Sequence, residues 1–158
     1  ITRGLCKIVL GLNKTIYLGN INTYRDWGYA KDYVKMQWLM LQRQKPEDFV
    51  ISSGHTTSVR KFIEKVSKYL GFKISWRGKG LKEVGYVSKI VNKKAKFKVN
   101  DIIIKIDPKY FRNTEVEYLK GNSKKAMKKL GWKPNTSLEE LVKIMVDHDL
   151  KDLNKELV

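Results

Sequence analysis

Helical and strand-like segments alternate along this 158-residue chain, and the alternation constrains the fold more than any other feature. Apolar residues recur at helical spacing in five segments, and short runs rich in β-branched residues separate several of them. The predicted helices occupy residues 1–12, 29–43, 58–70, 123–130 and 137 onward. The predicted strands are Thr15–Leu18, Phe49–Ile51, Lys73–Trp76 and Ile102–Ile106. The pattern predicts an α/β fold in which helices outweigh strands.

Two helix ends carry recognisable signals. Ser137 precedes the last apolar stripe and Glu140 follows three residues later, which is the spacing of a capping box. Gly71 follows the third helical segment, where a glycine commonly ends a helix. By contrast, the glycine- and lysine-rich stretch 78–98 has weak periodicity, which predicts an exposed loop or hairpin.

The chain is strongly basic, with a formal net charge of +17. Such a balance suits a polyanionic partner or the phosphate of a small ligand, but it is more typical of a lysine-rich solvated surface. The single cysteine, Cys6, suits a reducing, cytoplasmic location. His55 and His148 lie far apart with no cysteine near them, so no metal site is predicted. No apolar run approaches the roughly 18 residues that a membrane helix needs.

No strand-like run is followed by a glycine-rich dinucleotide fingerprint such as G-x-G-x-x-G. Tyr69 and Lys73 have the spacing of a Tyr-x-x-x-Lys pair, but Gly71 interrupts the helix that such a pair requires. The sequence therefore predicts no glycine-rich cofactor turn and no Tyr-x-x-x-Lys pair of the dehydrogenase kind within this chain.

Two segments match a known pattern. Residues 17–34 contain Y-L-G-N…R-D-W-G-Y-A-K-D-Y-V, and residues 107–117 read D-P-K-Y-F-R-N-T-E-V-E. Both resemble GDP-mannose 4,6-dehydratases, which are extended short-chain dehydrogenases acting on nucleotide sugars, and L-G-W-K-P at 130–134 extends the match. The departures are Tyr29 for the family's His, Asn113 for Pro and Asn122 for Asp.

The resemblance implies that residues 1–158 form a single C-terminal, nucleotide-sugar-binding portion, with the N-terminal NADP-binding Rossmann domain absent from this chain. In the family, GDP-mannose is dehydrated to GDP-4-keto-6-deoxymannose on the route to GDP-fucose and other deoxyhexoses. NADP takes a hydride from C4, water leaves across C5–C6, and the hydride returns to C6. The residues that perform this lyase chemistry belong to the absent half, so we expect this chain alone to be inactive. We expect GDP-mannose as the ligand, a homo-oligomer at full length, and no nucleic acid or membrane partner.

The family resemblance implies a substrate site made of Arg25, Arg112 and Glu115. The two arginines would contact the diphosphate, because a guanidinium donates two parallel hydrogen bonds and stays charged. The carboxylate would accept from the ribose hydroxyls. The alternatives are structural: Arg25 and Asp26 as a pair that anchors a loop before the second helix, and Arg112 with Glu115 as a solvated ion pair.

Other residues of these motifs have structural interpretations. Trp27 and Trp38 are predicted to be core residues, because large aromatic side chains in helical stripes usually are. Lys31 and Asp32 are predicted to lie on a solvated helix face, and Asp26 could favour the positive end of the second helix.

Three rival readings stay open at this level. One is an epimerase or dehydratase that uses a UDP- or dTDP-sugar. Another is a basic nucleic-acid-binding module, which would cluster Lys and Arg with exposed aromatic residues, a pattern that only residues 89–98 approach. The third is a structural fragment without activity.

Overall fold

A computed structural model describes residues 1–112 and 115–157 of the protein. Its helices are α1 (Thr2–Val9), α2 (Ala30–Leu41), α3 (Val59–Tyr69), α4 (Lys124–Leu130) and α5 (Leu138–Glu156). Its strands are β1 (Ile16–Leu18), β2 (Tyr24–Asp26), β3 (Thr56–Ser58), β4 (Phe72–Arg77), β5 (Val84–Ile90) and β6 (Ile102–Ile106). Short 3-10 turns cover Gly80–Lys82 and Pro108–Tyr110. The predicted α/β composition, with helices outweighing strands, is confirmed.

The strands form two separate sheets. The larger sheet has the order β1-β6-β5-β4. Strands β1 and β6 run parallel, whereas β5 is antiparallel to both of its neighbours. The smaller sheet is an antiparallel ribbon of β2 and β3, in which Arg25 lies opposite Thr57. The carboxyl ends of β1 and β6 therefore meet at one edge of the larger sheet.

The main core lies where α1, α3 and α5 pack against one another and against the larger sheet. Its side chains are almost wholly apolar, and the largest fully buried ones include Leu5, Ile8, Phe62, Ile63, Ile104 and Val146. A second, smaller cluster forms around Met36, Ala126 and Trp132 and joins α2 to α4. The site described below lies on the β2–β3 ribbon and on the loops that follow β1 and β6.

The predicted helix ends are confirmed. Ser137 caps α5, since its Oγ accepts from the Glu140 amide and the Glu140 carboxylate accepts from the Ser137 amide. Gly71 follows α3 with a φ of +83°, a left-handed conformation that glycine adopts without strain. Asn122 Oδ1 accepts from the Lys124 amide at 3.1 Å. The asparagine at this position, where the family has aspartate, therefore accepts a hydrogen bond from the first turn of α4.

One strand prediction is partly right and another is wrong. The stretch 78–98, predicted to be an exposed loop or hairpin, contributes β5, which forms an antiparallel hairpin with β4 but lies in the middle of the larger sheet. A glycine at position 85 makes the sequence of this segment less typical of a strand. The packed sheet needs glycine there, because a Cβ would lie 2.9 Å from the Trp76 ring and 3.0 Å from Ile104 Cβ. Phe49–Ile51, predicted to be a buried strand, is irregular, and Val50 is 51% exposed.

The prediction of which side of α2 faces the core is also wrong. Trp38, predicted to be core, is 59% exposed, and Val34 is 60% exposed. The residue that α2 buries is Met36, which packs towards α4. Helical periodicity shows which side chains share a face but not which face meets the core. Among the described helices, none combines the length and apolar composition that crossing a bilayer would need.

Candidate functional site

The first motif places Arg25 on strand β2, not on the loop predicted to lead into α2. Its guanidinium Nη2 lies 2.7 Å from Glu115 Oε1, and Nη1 donates to the carbonyl oxygens of Tyr24 and Val116 at 2.8 Å. Arg25 and Glu115 are 90 residues apart in the chain, and their side chains are 25% and 22% exposed. The fold thus brings together two of the three residues predicted for the substrate site.

The segment carrying Glu115 lies alongside β2. The Tyr24 amide donates to the Glu117 carbonyl at 2.7 Å, and the Leu119 amide donates to the Tyr24 carbonyl at 3.3 Å. The rings of Tyr24 and Tyr118 pack with their centroids 5.6 Å apart. Residues 115–119 therefore extend the ribbon in a parallel sense, and Arg25 fastens this extension through its side chain.

The two carboxylate oxygens of Glu115 differ in their hydrogen bonding. Oε1 pairs with Arg25, whereas Oε2 is buried and has no hydrogen-bond partner among the residues that the structure describes. A buried carboxylate oxygen without a donor costs free energy, so Oε2 is a polar atom that the described fold leaves unsatisfied. The alternative of a solvated pair with Arg112 is not what the structure shows, since Glu115 pairs with Arg25.

Arg112 follows the 3-10 turn after β6 and is exposed. This turn packs tightly on the end of β1, because a Cβ on Gly19 would lie 2.1 Å from the Tyr110 carbonyl oxygen. Asn113 and Thr114, which follow Arg112 in the second motif, lie outside the described residues.

A cavity of about 250 Å³ opens at this edge of the sheet. Its lining comes from the loops that follow β1 and β6 and from the segment carrying Glu115: Gly19, Asn20, Asn22, Ile106, Phe111 and Glu117. The carboxyl ends of parallel strands are where α/β sheets commonly bind ligands, because the loops there diverge and leave a crevice. The predicted site and this cavity share the same loops.

One wall of the cavity is held by an ion pair that the sequence reading missed. Arg60 and Glu83 make two contacts, at 2.8 and 2.9 Å, and Arg60 Nη2 also donates to Asn22 Oδ1 at 2.7 Å. The Arg60 guanidinium lies 4.6 Å from the centroid of the Trp76 ring. Nothing in the sequence links these residues, since Glu83 lies in the stretch predicted to be an exposed loop or hairpin. The ion pair fixes the turn before β5 to α3, and the bond from Arg60 to Asn22 fixes the loop after β1 to α3.

Asp26 anchors a different loop. Its carboxylate accepts from the amides of Ser53 and Gly54 at 2.7 and 2.9 Å, and Tyr33 OH lies 3.3 Å away. These bonds turn the carboxylate towards residues 53–54, so Asp26 holds that loop, and its predicted electrostatic effect on the start of α2 stays a prediction. Burial, with the Asp26 carboxylate beside it, raises the pKa of Tyr33 to about 12. The phenol consequently stays protonated at neutral pH and serves as a donor.

The rest of the first motif is structural. Trp27 packs against the core as predicted, stacking on Phe62 at 4.0 Å and donating from Nε1 to the Thr57 carbonyl. The prediction for Asp32 is wrong, because its carboxylate accepts from the amides of Asn135 and Thr136 at 3.2 and 3.0 Å. Asp32 therefore ties α2 to the link between α4 and α5.

Solved structures share this fold. An enzyme called RMD from Pseudomonas aeruginosa, solved with NADPH, superposes with a TM-score of 0.69 at 16% identity, over 96% of this chain and 41% of that one. UDP-glucose 4-epimerase from Bifidobacterium longum, solved with NAD⁺ and UDP, gives a TM-score of 0.64 at 17% identity, over 98% and 39%. The fold is thus that of the extended short-chain dehydrogenases, as predicted.

The sequence narrows this class further. A family model described as GDP-mannose 4,6 dehydratase matches residues 1–145, and the chain belongs to that family. It is 51% identical over 152 residues to a GDP-mannose 4,6-dehydratase of Vibrio cholerae, covering 96% of this chain and 41% of the relative. The Homo sapiens GDP-mannose 4,6 dehydratase is 44% identical over 151 residues, with 96% and 38% covered. The rival readings, a nucleic-acid module and an enzyme for another nucleotide sugar, are not favoured.

The chain spans about two-fifths of the length of the curated relatives that it matches. Within this portion the described residues bring Arg25 and Glu115 together and place Arg112 after a neighbouring turn. The chain therefore belongs to this family over a portion that includes the three predicted substrate residues.

Proposed function

We propose that this chain is the nucleotide-sugar-binding portion of a GDP-mannose 4,6-dehydratase. In the full-length enzyme it holds GDP-mannose for conversion to GDP-4-keto-6-deoxymannose. Arg25 and Arg112 bind the diphosphate, and Glu115 accepts from the ribose hydroxyls. Support comes from the family match and from relatives at 51% and 44% identity that carry the dehydratase name.

The observation that carries the proposal is the environment of Glu115. Its Oε1 is held by Arg25 at 2.7 Å, which fixes the carboxylate, and its buried Oε2 has no partner among the described residues. A ribose hydroxyl would satisfy that oxygen with a charge-assisted hydrogen bond. Arg25 already donates to two carbonyl oxygens, so its guanidinium is oriented before any ligand arrives, which lowers the entropy cost of binding.

The cofactor belongs to another part of the enzyme. NADP, when bound, supplies hydride acceptance and return, and a nicotinamide cofactor was present in both solved structures named above. This sequence contains no glycine-rich turn to cradle a dinucleotide. We therefore assign substrate positioning alone to the present residues. A homo-oligomeric assembly and a cytoplasmic location stay predictions.

Ligand class can be tested with a chimera that joins this chain to the portion of the Vibrio cholerae relative outside the match. GDP-mannose, UDP-glucose and a single-stranded RNA oligonucleotide would be titrated into it at several salt concentrations. We expect GDP-mannose to bind most tightly and RNA to bind weakly, with the steep salt dependence of non-specific contacts. Preference for UDP-glucose would indicate a different sugar-nucleotide enzyme, and tight salt-resistant RNA binding would overturn the proposal.

A further inference from the structure

Arg60, in the first turn of α3, joins three parts of the molecule through one guanidinium. Its Nε and Nη2 lie 3.2 and 2.7 Å from Asn22 Oδ1, in the loop after β1. Its Nη1 and Nη2 pair with the two carboxylate oxygens of Glu83 at 2.8 and 2.9 Å. Its Cζ lies 4.6 Å from the centroid of the Trp76 ring on β4. Each guanidinium nitrogen thus has an acceptor, an arrangement that the single ammonium of lysine cannot reproduce.

The loop that Arg60 holds lies at the proposed substrate site. Residues 19–22 line the cavity of about 250 Å³, together with Glu117 from the segment that carries Glu115. The same loop leads into β2, the strand on which Arg25 lies. A displacement of this loop would therefore change the wall of the cavity and the start of the strand that carries a predicted diphosphate ligand.

The backbone of this loop is held without the Arg60 side chain. Ile21 and Thr23 are each 1% exposed, and their carbonyl oxygens accept from the amides of Arg60 and Val59 at 2.8 and 3.1 Å. Asn22 lies between them and is exposed, so its side chain contributes little to the core. The bond from the guanidinium to Asn22 therefore has one main effect, which is to fix the Asn22 side chain in the cavity wall.

We propose that Arg60 is a positioning residue for the sugar-nucleotide site and acts through Asn22. Glu83, whose side chain is 10% exposed, neutralises the guanidinium and fixes its direction, so Arg60 holds the loop and does not itself contact the diphosphate. A cavity wall that is ordered in advance lowers the entropy cost of binding, whereas a wall without this tether must be ordered by the ligand. The inference rests on the proposed function, because it assumes that this cavity takes part in binding GDP-mannose.

Kinetics separates positioning from a loss of folded protein. Arg60→Lys and Asn22→Ala would be introduced singly and together into the Vibrio cholerae chimera, and both the affinity for GDP-mannose and its turnover with NADP would be measured. Arg60→Lys keeps a positive charge beside Glu83 but loses the fork that also reaches Asn22. Each single variant should raise the dissociation constant and KM about two- to tenfold, the cost of ordering one or two side chains, and leave kcat unchanged. Partial unfolding would instead lower kcat and leave KM as it was.

The double variant tests whether Arg60 acts through Asn22. Its dissociation constant should be no higher than that of the weaker-binding single variant, because both substitutions remove the same contact. Losses that multiply in the double variant would overturn the inference, and so would wild-type affinity in either single variant. Lys61→Arg, a charge-neutral exchange at the next residue of α3, which is exposed, is the control and should leave affinity and turnover unchanged.

Stability and the proposed function are checked separately. In the 158-residue chain, Asn22→Ala should leave the midpoint of thermal unfolding close to that of the wild type, because the backbone bonds of the loop remain. A midpoint lowered by Asn22→Ala as much as by Arg60→Lys would show that the bond maintains the fold, and it would overturn the positioning role. A wild-type chimera that does not bind GDP-mannose would refute the proposed function itself, whereas wild-type binding with unchanged affinity in the variants refutes the inference alone.

Discussion

Glu115 and Arg25 show at the scale of single residues how the site is assembled. The sequence places them 90 residues apart, and each has an ordinary structural interpretation when taken alone. In the structure Arg25 anchors residues 115–116, since Nη2 pairs with the Glu115 carboxylate and Nη1 donates to the Val116 carbonyl. The structural alternative for Arg25 is therefore partly right, although its partner is Glu115 and not Asp26.

Glu115→Gln should weaken binding of GDP by about five- to tenfold in the chimera. A neutral amide oxygen accepts a hydrogen bond less strongly than a carboxylate, by about 1 kcal/mol. Calorimetric titration with GDP and with 2′,3′-dideoxy-GDP measures this difference. The substitution should change the affinity for the dideoxy ligand little, because that ligand has no ribose hydroxyls to donate. Equal losses for both ligands would show that Glu115 acts on the fold and not on ribose.

Gly19→Ala should destabilise the protein and weaken GDP-mannose binding together. The added Cβ would meet the Tyr110 carbonyl oxygen at 2.1 Å, so the turn that carries Arg112 must move. Overpacking of this kind typically costs about 1–3 kcal/mol. Chemical denaturation and ligand titration would check the two effects, with Tyr17→Phe on the exposed side of β1 as the control. Wild-type stability and affinity would show that the turn tolerates displacement.

At the scale of secondary-structure elements, the sequence predicts features that depend on neighbouring residues. It does not predict features that depend on tertiary contacts. The capping box at Ser137, the glycine after α3 and the β-branched run of β6 depend on neighbouring residues, so the sequence predicts them. The ribbon of β2 and β3 has only three residues per strand and pairs across 30 residues or more of chain, beyond any local pattern. Strand β5 depends on Gly85 fitting beneath Trp76, which only the packed sheet requires.

The capping box of α5 predicts a pH-dependent stability. The backbone amide of Ser137, together with its hydroxyl, holds the pKa of Glu140 below its usual range. A carboxyl whose pKa is lower in the folded state stabilises the fold above its unfolded pKa, and that contribution is lost as the pH falls through the folded value. Glu140→Ala should therefore lower the free energy of unfolding at pH 7 and have little effect well below about pH 4, where the unfolded carboxyl is protonated too.

A second pair of variants tests the same cap. Ser137→Ala should lower the free energy of unfolding by about 1 kcal/mol, whereas Ser137→Asp should retain the cap. Urea denaturation of the 158-residue chain at both pH values measures each variant. A Glu140→Ala effect that stays constant from neutral to strongly acidic pH would contradict a role for the ionised carboxylate.

At the scale of the whole molecule, the chain has a hydrophobic core of its own and matches about two-fifths of its relatives' length. Under the proposed function this portion binds the sugar nucleotide, and the rest of the enzyme carries out the chemistry. Which face of α2 meets the core could not be predicted, because helical periodicity shows which side chains share a face but not which face is buried. What the motifs did predict was the family, since the resemblance seen in R-D-W-G and Y-F-R-x-T-E-V is confirmed by a family model that matches residues 1–145.

The 158-residue chain should show no turnover of GDP-mannose with NADP present. No glycine-rich cofactor turn or Tyr-x-x-x-Lys helix pair occurs in the sequence, so hydride transfer has no cofactor site here. Chromatographic analysis of the sugar nucleotide after long incubation would check this, with the chimera as the positive control. Formation of the 4-keto-6-deoxy product by the chain alone would show that catalytic residues were misplaced.

The central claim, that these motifs form a diphosphate site for a sugar nucleotide, is tested most directly by titrating GDP-mannose into the chimera and its Arg112→Ala variant. Charge-assisted hydrogen bonds contribute roughly 1.5–3 kcal/mol, and each 1.4 kcal/mol is about tenfold in affinity. Arg112→Ala should therefore raise the dissociation constant by about one to two orders of magnitude. Lys151→Ala, which removes an exposed positive charge on α5, should leave it unchanged. Wild-type affinity in the Arg112→Ala variant would contradict the proposed site.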